Sequence, residues 1–158
     1  MFSPFQFCEV IKLLQTYTLS NTGITLNTND SVPFNTNSLN TYCKIKHVAG
    51  SPSIEINHAG YYQVTVNSFG YNTGDVVEGT PYTGTYTLQL FNKGVAVENA
   101  IASTTSTSST NVENIEFSVI IKVNPSCCMV DNNAVLTLNY LGQVGTLSFV
   151  NLTIVKLD

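Results

Sequence analysis

Two histidines, His47 and His58, are the side chains in this sequence that could act as general bases near neutral pH. Neither lies in a Gly-x-Ser-x-Gly or His-x-x-x-His pattern of the kind that accompanies a catalytic serine or a metal site. Glu113 and Glu116 are three residues apart, so on a strand edge they would point to different faces and could not act as an acid–base pair. We therefore predict no enzymatic activity and expect structural histidines.

Two oxygen-rich turns, Asn-Thr-Asn-Asp at 27–30 and Asp-Asn-Asn at 131–133, could supply ligands to calcium. Neither has the regular acidic spacing of a dedicated calcium loop, so plain turns are the preferred interpretation. Cys127 and Cys128 are adjacent and Cys8 and Cys43 are remote, and this pattern gives neither a zinc site nor an evident disulfide framework. We expect free, mostly buried thiols and no metal or other cofactor.

Charged residues make up 10% of the 158 residues, with six lysines, no arginine and a net charge of -4. Scattered lysines do not form the basic stripe that neutralises nucleic-acid phosphates, and a net negative charge disfavours anionic membranes. No apolar run approaches the roughly 18 residues of a spanning helix. The first residues lack a basic leader, and Glu9 and Lys12 interrupt the apolar stretch that a signal peptide requires, so we expect synthesis in a reducing cytoplasm.

The elements that would position any site fall into two parts. Residues 1–20 predict an amphipathic helix, with a capping box from Ser3 to Gln6 and an apolar stripe of Phe7, Val10, Ile11 and Leu14. Such a short helix is unstable alone, so its stripe should dock in a trimeric neck, in a groove of a larger assembly, or on its own domain. Residues 16–23, TYTLSNTG, are interpreted as a linker.

Residues 23–158 have the alternation and turn punctuation of an all-β sandwich or barrel. The turn Asn92-Lys93-Gly94 predicts a short hairpin with glycine at a positive φ, while 71–85 and 101–114 are interpreted as surface loops. Strands are predicted at 23–27, 42–48, 53–57, 61–71, 85–92, 95–100, 114–124, 134–141 and 146–157.

Two of these strands carry large apolar groups on both faces. Phe149 is next to Val150 in the last strand, and Tyr61 is next to Tyr62 at the head of the strand that Gly60 opens. Since neighbouring side chains on a strand point to opposite faces, one tyrosine should enter the core and the other should face a second subunit. The alternative is that both are core and rim residues of a monomer.

The order of motifs resembles the tumour necrosis factor and complement-globular-domain jelly roll, especially bacteriophage fibre heads and spore-surface tip domains. The resemblance is carried by VPFN at 32–35, GSPSIEINHAGYYQVTV at 50–66, LQLFNKGVAV at 88–97, NAVLTLNY at 133–140 and TLSFVNLTIVKLD at 146–158. It covers 23–158 and implies an antiparallel jelly-roll sandwich that forms homotrimers. The Phe-x-Gly-Phe pattern of the animal members is replaced by Phe149-Val150-Asn151-Leu152, and no collagen stalk is present.

The resemblance implies a structural virion protein: a trimeric fibre or decoration head, assembled in the host cytoplasm, with 1–20 attached to another virion protein. The trimer interface would include Tyr61, Tyr62, Tyr140, Phe149 and Val155. The loop residues Tyr71 and Tyr82 could stack on host-surface glycans and so mediate host attachment. Two alternatives are a bacterial spore-coat or cell-surface trimer of the same fold and a monomeric carbohydrate-binding module.

Overall fold

Alternating polar and apolar side chains extend the chain into strands from Thr16 onward. The computed structural model describes residues 16–40, 44–72, 83–108, 111–125 and 133–157, which contain strands and no helix. The strands are β1 (Thr16–Leu26), β2 (Thr36–Asn40), β3 (Ile45–His47), β4 (Ile54–Ile56), β5 (Gly60–Asn72), β6 (Gly84–Asn92), β7 (Val95–Ser106), β8 (Glu113–Val123), β9 (Ala134–Tyr140) and β10 (Gly145–Lys156).

These strands form two five-stranded sheets, with orders β2-β1-β10-β5-β8 and β3-β4-β9-β6-β7. All of the strand pairs are antiparallel. The expected all-β architecture of two antiparallel sheets is therefore confirmed. The predicted N-terminal helix, with Phe7, Val10, Ile11 and Leu14, lies outside the described residues.

The core lies between the two sheets and is built from every second residue of the long strands. Tyr62, Val64 and Val66 of β5 have no exposed surface, and they belong to the same buried cluster as Leu136 and Leu138 of β9, which are equally enclosed. Each such side chain contributes about 1.5–3 kcal/mol through its removal from water. This alternation fixes the register, because a slip of one residue would exchange the two faces of a strand.

The two ends of the sandwich differ in the strand termini that they contain. We call the base the end where β1, β5 and β9 begin and β8 ends, and the apex the end where β5, β7 and β9 end. At the base Thr16 is paired with Val155, and at the apex Tyr71 is paired with Thr146. The chain therefore enters the domain from residues 1–15 at the base.

Two loop predictions were wrong. Residues 16–23, interpreted as a linker, belong to β1, where Tyr17 and Leu19 are buried and the strand is paired with β10. Residues 101–106, interpreted as loop, continue β7 and pair with β6. Thr18 and Ser20 of β1 and Ser103 and Thr105 of β7 lie on the solvent side of their strands, whereas Asn21 is buried and donates to the Pro33 backbone oxygen at 2.7 Å. Strand pairing thus outweighs the turn propensity of these residues.

The β6–β7 hairpin has the predicted turn, with positive φ values of 50° at Lys93 and 77° at Gly94. Farther along β7 the ladder is interrupted: Phe91 pairs with Ala96 but Gln89 pairs with Ile101. Asn99 in this bulge has a φ of 58°, and the Gln89 side chain donates to the Val97 backbone oxygen at 3.1 Å. The bulge twists an edge strand of its sheet out of a regular ladder.

Candidate interaction surface on the outer sheet face

Tyr61 and Tyr62 diverge at the start of β5. Tyr62 is fully enclosed, and its hydroxyl donates to the His58 backbone oxygen at 2.8 Å. Tyr61 points the other way and is 46% exposed. One tyrosine thus enters the core and the other lies on the solvent side of the β2-β1-β10-β5-β8 sheet, which we call the outer face.

Two of the residues predicted at a trimer interface cannot contact another subunit through their side chains. Tyr62 and Tyr140 have no exposed surface, because both are packed between the two sheets. For these two residues the interface prediction was wrong. A tyrosine hydroxyl can be satisfied inside a core, so a large polar ring does not by itself indicate an interface.

Phe149 and Val155 lie half-buried on the outer face, on the opposite side of β10 from Val150 and Ile154, which are fully buried. The ring of Phe149 stacks on Phe69 of β5, with centroids 5.1 Å apart and planes inclined by 24°. Phe69 is 40% exposed and was missed in the sequence. The alternation of side chains along the strand could have identified it, because Phe69 is eight residues after Tyr61 and therefore lies on the same side of the strand.

Between the aromatic pair and the base, the outer face is covered by hydroxyl and amide side chains. Across the sheet, Thr18 and Thr153 have hydroxyls 3.3 Å apart, and Thr65 and Ser118 have hydroxyls 3.0 Å apart. The side chain of Gln63 also donates to Ser118, at 3.0 Å. Such cross-strand pairs order the face by satisfying its side chains locally.

Apolar surface returns on the outer face near the base. Ile120 is 61% exposed and Leu157 is 48% exposed, next to Tyr61. The ammonium group of Lys122 lies 5.7 Å from the centroid of the Tyr61 ring, within the range of a cation–π contact. The outer face therefore has an aromatic pair toward the apex and a mixed apolar and cationic group near the base.

Three exposed apolar side chains are spread along β7 and β8, which are the edge strands of the two sheets on one side of the sandwich. Val95 is 70% exposed, Ile101 is 47% exposed and Val112, just before β8, is 62% exposed. We call these residues the β7–β8 edge. It is a different surface from the outer face, although β8 borders both.

A buried polar chain lies beneath Phe149. The Tyr86 hydroxyl of one sheet is 2.6 Å from the Ser68 hydroxyl of the other, and Ser68 donates to the Phe149 backbone oxygen at 2.9 Å. The β5–β10 register shifts between Leu147 and Phe149, so Ser68 bonds a carbonyl at an irregular point of the ladder. Burial raises the pKa of Tyr86 to about 12.

Tyr140 anchors the apex. Its hydroxyl donates to the Asn72 side-chain oxygen at 2.6 Å, and its ring meets that of Tyr86 edge-on with centroids 5.5 Å apart. Gly142 and Gly145 cross closely over this hydroxyl: a Cβ on Gly142 would lie 2.7 Å from it, and one on Gly145 would lie 2.5 Å from it. The turn between β9 and β10 thus requires glycine for space.

Among the residues that the structure describes, His47, Glu113 and Glu116 lie apart from one another. His47 lies between the Asn37 side-chain oxygen and the Ser51 backbone oxygen, each 2.8 Å from a ring nitrogen. Glu113 is half-buried and accepts a hydrogen bond from Thr104, whereas Glu116 is exposed on the other side of β8. Their separation onto different faces is as predicted.

The turn at 27–30 uses its acidic oxygen internally. Asp30 accepts from the backbone and side-chain nitrogens of Asn27 at 2.7 and 3.2 Å, and Asn29 has a φ of 73°. Within the described residues no group of three or more His, Cys, Asp or Glu side chains could hold a metal. The described residues also contain no helix long and apolar enough to cross a membrane.

Several predicted sites can be placed only in part. Tyr71 lies half-buried at the apex end of β5, paired with Thr146. Its suggested partner in glycan binding, Tyr82, lies outside the described residues. So do the four cysteines and residues 131–132 of the second oxygen-rich turn.

No protein-family model and no curated protein sequence matches the chain. Solved structures do match. PRD1 vertex protein P5 matches at 15% identity and a TM-score of 0.56, and the match covers 90% of this chain and 96% of that chain. Eiger TNF from S. frugiperda matches at 13% identity and TM-score 0.60, covering 92% and 93%, and murine APRIL at 11% identity and TM-score 0.50, covering 90% and 99%. The chain therefore has the tumour necrosis factor-like jelly-roll fold, over nearly its whole length.

Proposed function

We propose that the chain is a structural protein of a bacteriophage particle, in which three copies form a trimeric head displayed on the particle surface. The observation that carries this proposal is the exposed Phe69–Phe149 stack on the outer face. The two stacked phenylalanines are partly exposed to water on a protein of which only 10% of the residues are charged. Exposed apolar surface of this kind is typical of a site where another protein chain binds, so we infer that a second chain covers it. The fold likeness to PRD1 vertex protein P5 supports placement on a particle.

A trimer requires two different surfaces on each subunit. Three copies related by a three-fold axis meet head to tail, so one patch must fit another elsewhere on the neighbouring molecule. The outer face supplies one patch, the Phe69–Phe149 stack. The β7–β8 edge supplies the other, and in this proposal Ile101 packs against the outer face of the next subunit.

The two ends of the subunit have separate roles in this proposal. Residues 1–15 enter the domain at Thr16, at the base, so attachment to another virion protein through Phe7, Val10, Ile11 and Leu14 places the base toward the particle. Val155 and Thr146, the β10 partners of Thr16 and Tyr71, are nine positions apart, or about 30 Å along a strand. The apex, with Tyr71, then points away and could contact host-surface glycans.

Light scattering on the purified full chain tests the oligomer. A mass three times the subunit mass of 17.2 kDa is expected. A mass equal to one subunit would remove the trimer and favour the alternative of a monomeric carbohydrate-binding module.

Mass spectrometry of purified particles, with antibody labelling in electron microscopy, tests the location: absence from the particle would favour a cell-surface or spore-coat trimer. A glycan array tests adhesion, with Tyr71→Ala as the variant expected to lose any signal.

A further inference from the structure

A group of four apolar side chains lies on the outer face at the base of the domain. It consists of Tyr61, Ile120, Val155 and Leu157, and we call it the base patch. Val155 is half-buried, and the other three are 46%, 61% and 48% exposed, respectively. The strand register brings the four together: the Leu157 backbone nitrogen donates to the Tyr61 oxygen at 2.9 Å, and Val155 and Ile120 are both paired with Gln63.

Polar side chains border the base patch on the side of the apex. Thr153, Thr65 and Ser118 follow one another across β10, β5 and β8, and the last two have hydroxyls 3.0 Å apart. Tyr61 and Phe69 are eight positions apart on β5, or about 26 Å, so the base patch is separate from the aromatic stack. An apolar patch with a polar rim is typical of a surface that another segment or chain covers.

Residues 1–15 join the described domain beside the base patch. Thr16, at the start of β1, is paired with Val155. Directly opposed residues of an antiparallel pair have Cβ atoms about 4.5–5.5 Å apart, so the segment leaves the domain next to Val155. A segment that is tethered so close to a surface meets it at an effective concentration in the millimolar range, without the cost of bringing two molecules together.

The sequence predicts an apolar stripe of matching size on residues 1–15. The stripe of Phe7, Val10, Ile11 and Leu14 spans seven helical positions of about 1.5 Å each, or roughly 10 Å. The base patch extends over β10, β5 and β8, which is two strand spacings of about 4.8 Å each, or again roughly 10 Å. Because so short a helix is unstable alone in water, its stripe requires an apolar partner.

We infer that in the free protein residues 1–15 fold back and lay their apolar stripe across the base patch of the same subunit. Leu14 lies over Val155, and Phe7 reaches Ile120 on β8. This inference goes beyond the proposed function, in which the stripe binds another virion protein. Attachment then exchanges the base patch for that partner, so the stripe is covered both before and after assembly.

A single tryptophan tests the contact, because the chain contains none. Phe7→Trp in the full chain should have blue-shifted emission and weak quenching by acrylamide, compared with free N-acetyl-tryptophanamide. Adding Ile120→Ser or Leu157→Ser should lower the ratio of docked to undocked segment by about tenfold, since each removes apolar contact area, and quenching should rise accordingly. The matched control is Val48→Ser, which also removes an exposed apolar side chain but follows a strand of the other sheet.

A second experiment changes the segment and observes the base patch by NMR of the ¹⁵N-labelled full chain. Ile11→Ser interrupts the stripe, so the amide signals of residues 61, 120 and 155–157 should shift. Lys12→Ser is the matched control, because Lys12 is the next residue but does not belong to the stripe, and it should leave these signals in place.

Three results would overturn the inference. Water-exposed emission of Phe7→Trp in a folded protein would mean that the segment does not dock. Buried emission that neither Ile120→Ser nor Leu157→Ser changes would place the segment on another surface. Buried emission that is lost in a monomeric variant such as Phe149→Asp would assign the stripe to a neck between subunits. Light scattering and particle mass spectrometry test the proposed function separately, so a trimer with an exposed segment and a monomer with a docked segment are distinct results.

Discussion

The Tyr86 hydroxyl lies 2.6 Å from the Ser68 hydroxyl in the opposite sheet, and this pair supports the Phe149 backbone on the outer face. Because Ser68 donates to the Phe149 oxygen, Tyr86 is the donor to Ser68, and the three groups form one directed chain. The register shift at Phe149 would otherwise leave its carbonyl oxygen outside the regular ladder. A buried polar chain thus positions the residue whose ring stacks on Phe69.

Replacing Ser68 by Ala should destabilise the fold by about 1–3 kcal/mol, because the Tyr86 hydroxyl and the Phe149 carbonyl lose a buried partner. Tyr86→Phe removes only the first bond and should cost less. A double-mutant cycle by denaturant unfolding should give a coupling energy of roughly 0.5 kcal/mol or more. Strict additivity would contradict the chain of bonds.

Stability should fall as the pH rises from 10 to 12. The ordinary pKa of Tyr86 is 10 and burial raises it to about 12, so the unfolded chain loses this proton at a lower pH than the folded chain does. The stabilisation is complete below pH 10 and is lost through pH 12, by an amount on the order of 3 kcal/mol. Thermal unfolding against pH, compared with Tyr86→Phe, measures it: an equally steep loss in the variant would assign the effect to other groups.

The trimer should depend on the aromatic stack. Phe149→Ser and Phe69→Ser should shift the mass from three subunits toward one, since each removes half of the pair. The matched control is Val48→Ser, because Val48 is 76% exposed and follows β3, which belongs to the other sheet. Light scattering over a dilution series measures the mass of the Phe variants and of the control. If both Phe variants remain trimeric over the same range of concentrations as the parent protein, this face is not the interface.

A mixing experiment tests the head-to-tail arrangement. Phe149→Asp damages the outer face and Ile101→Asp damages the β7–β8 edge, so each variant alone should be monomeric. Mixed together they retain one intact pairing, and a species of twice the 17.2 kDa subunit mass is expected. If the mixture stays monomeric while the parent is trimeric, the two surfaces are not partners.

Gly142 should tolerate no side chain. A Cβ there would meet the Thr85 backbone oxygen, as well as the Tyr140 ring and hydroxyl at 2.8 and 2.7 Å. Gly142→Ala should therefore cost about 3 kcal/mol or more, since backbone and a buried ring must move. Gly94→Ala is the control: its φ is 77° but nothing lies within 4 Å, so roughly 1 kcal/mol of backbone strain is expected. Equal losses of stability in the two variants would contradict the close contact of Gly142 with the Tyr140 ring and hydroxyl.

The sequence predicts strands well where burial alternates strongly. Residues 61–71 and 134–141 were identified nearly to the residue, because Tyr62, Val64 and Val66, and likewise Leu136 and Leu138, alternate with polar groups. β1 was missed in part, because Ser20-Asn21-Thr22-Gly23 has turn chemistry although its pairing with β10 keeps it extended. The turn propensity of these four residues is outweighed by their pairing with β10, whose residues are more than 120 positions away in the sequence.

The candidate surface was predictable only in part. The adjacent tyrosines of β5 do lie on opposite faces of the strand, with Tyr62 buried and Tyr61 exposed. The sequence could not show that the Tyr140 hydroxyl is bonded to Asn72 inside the core. Phe69 follows from the alternation of β5.

The bulge in β7 bears on how such a protein stays soluble when crowded. A straight edge of twelve residues would offer backbone groups to any neighbouring chain and could seed growth of a continuous cross-chain sheet. The left-handed Asn99 and the Gln89 amide, which occupies the Val97 oxygen, break that template. Copies packed densely side by side can therefore touch through side chains without fusing into fibrils.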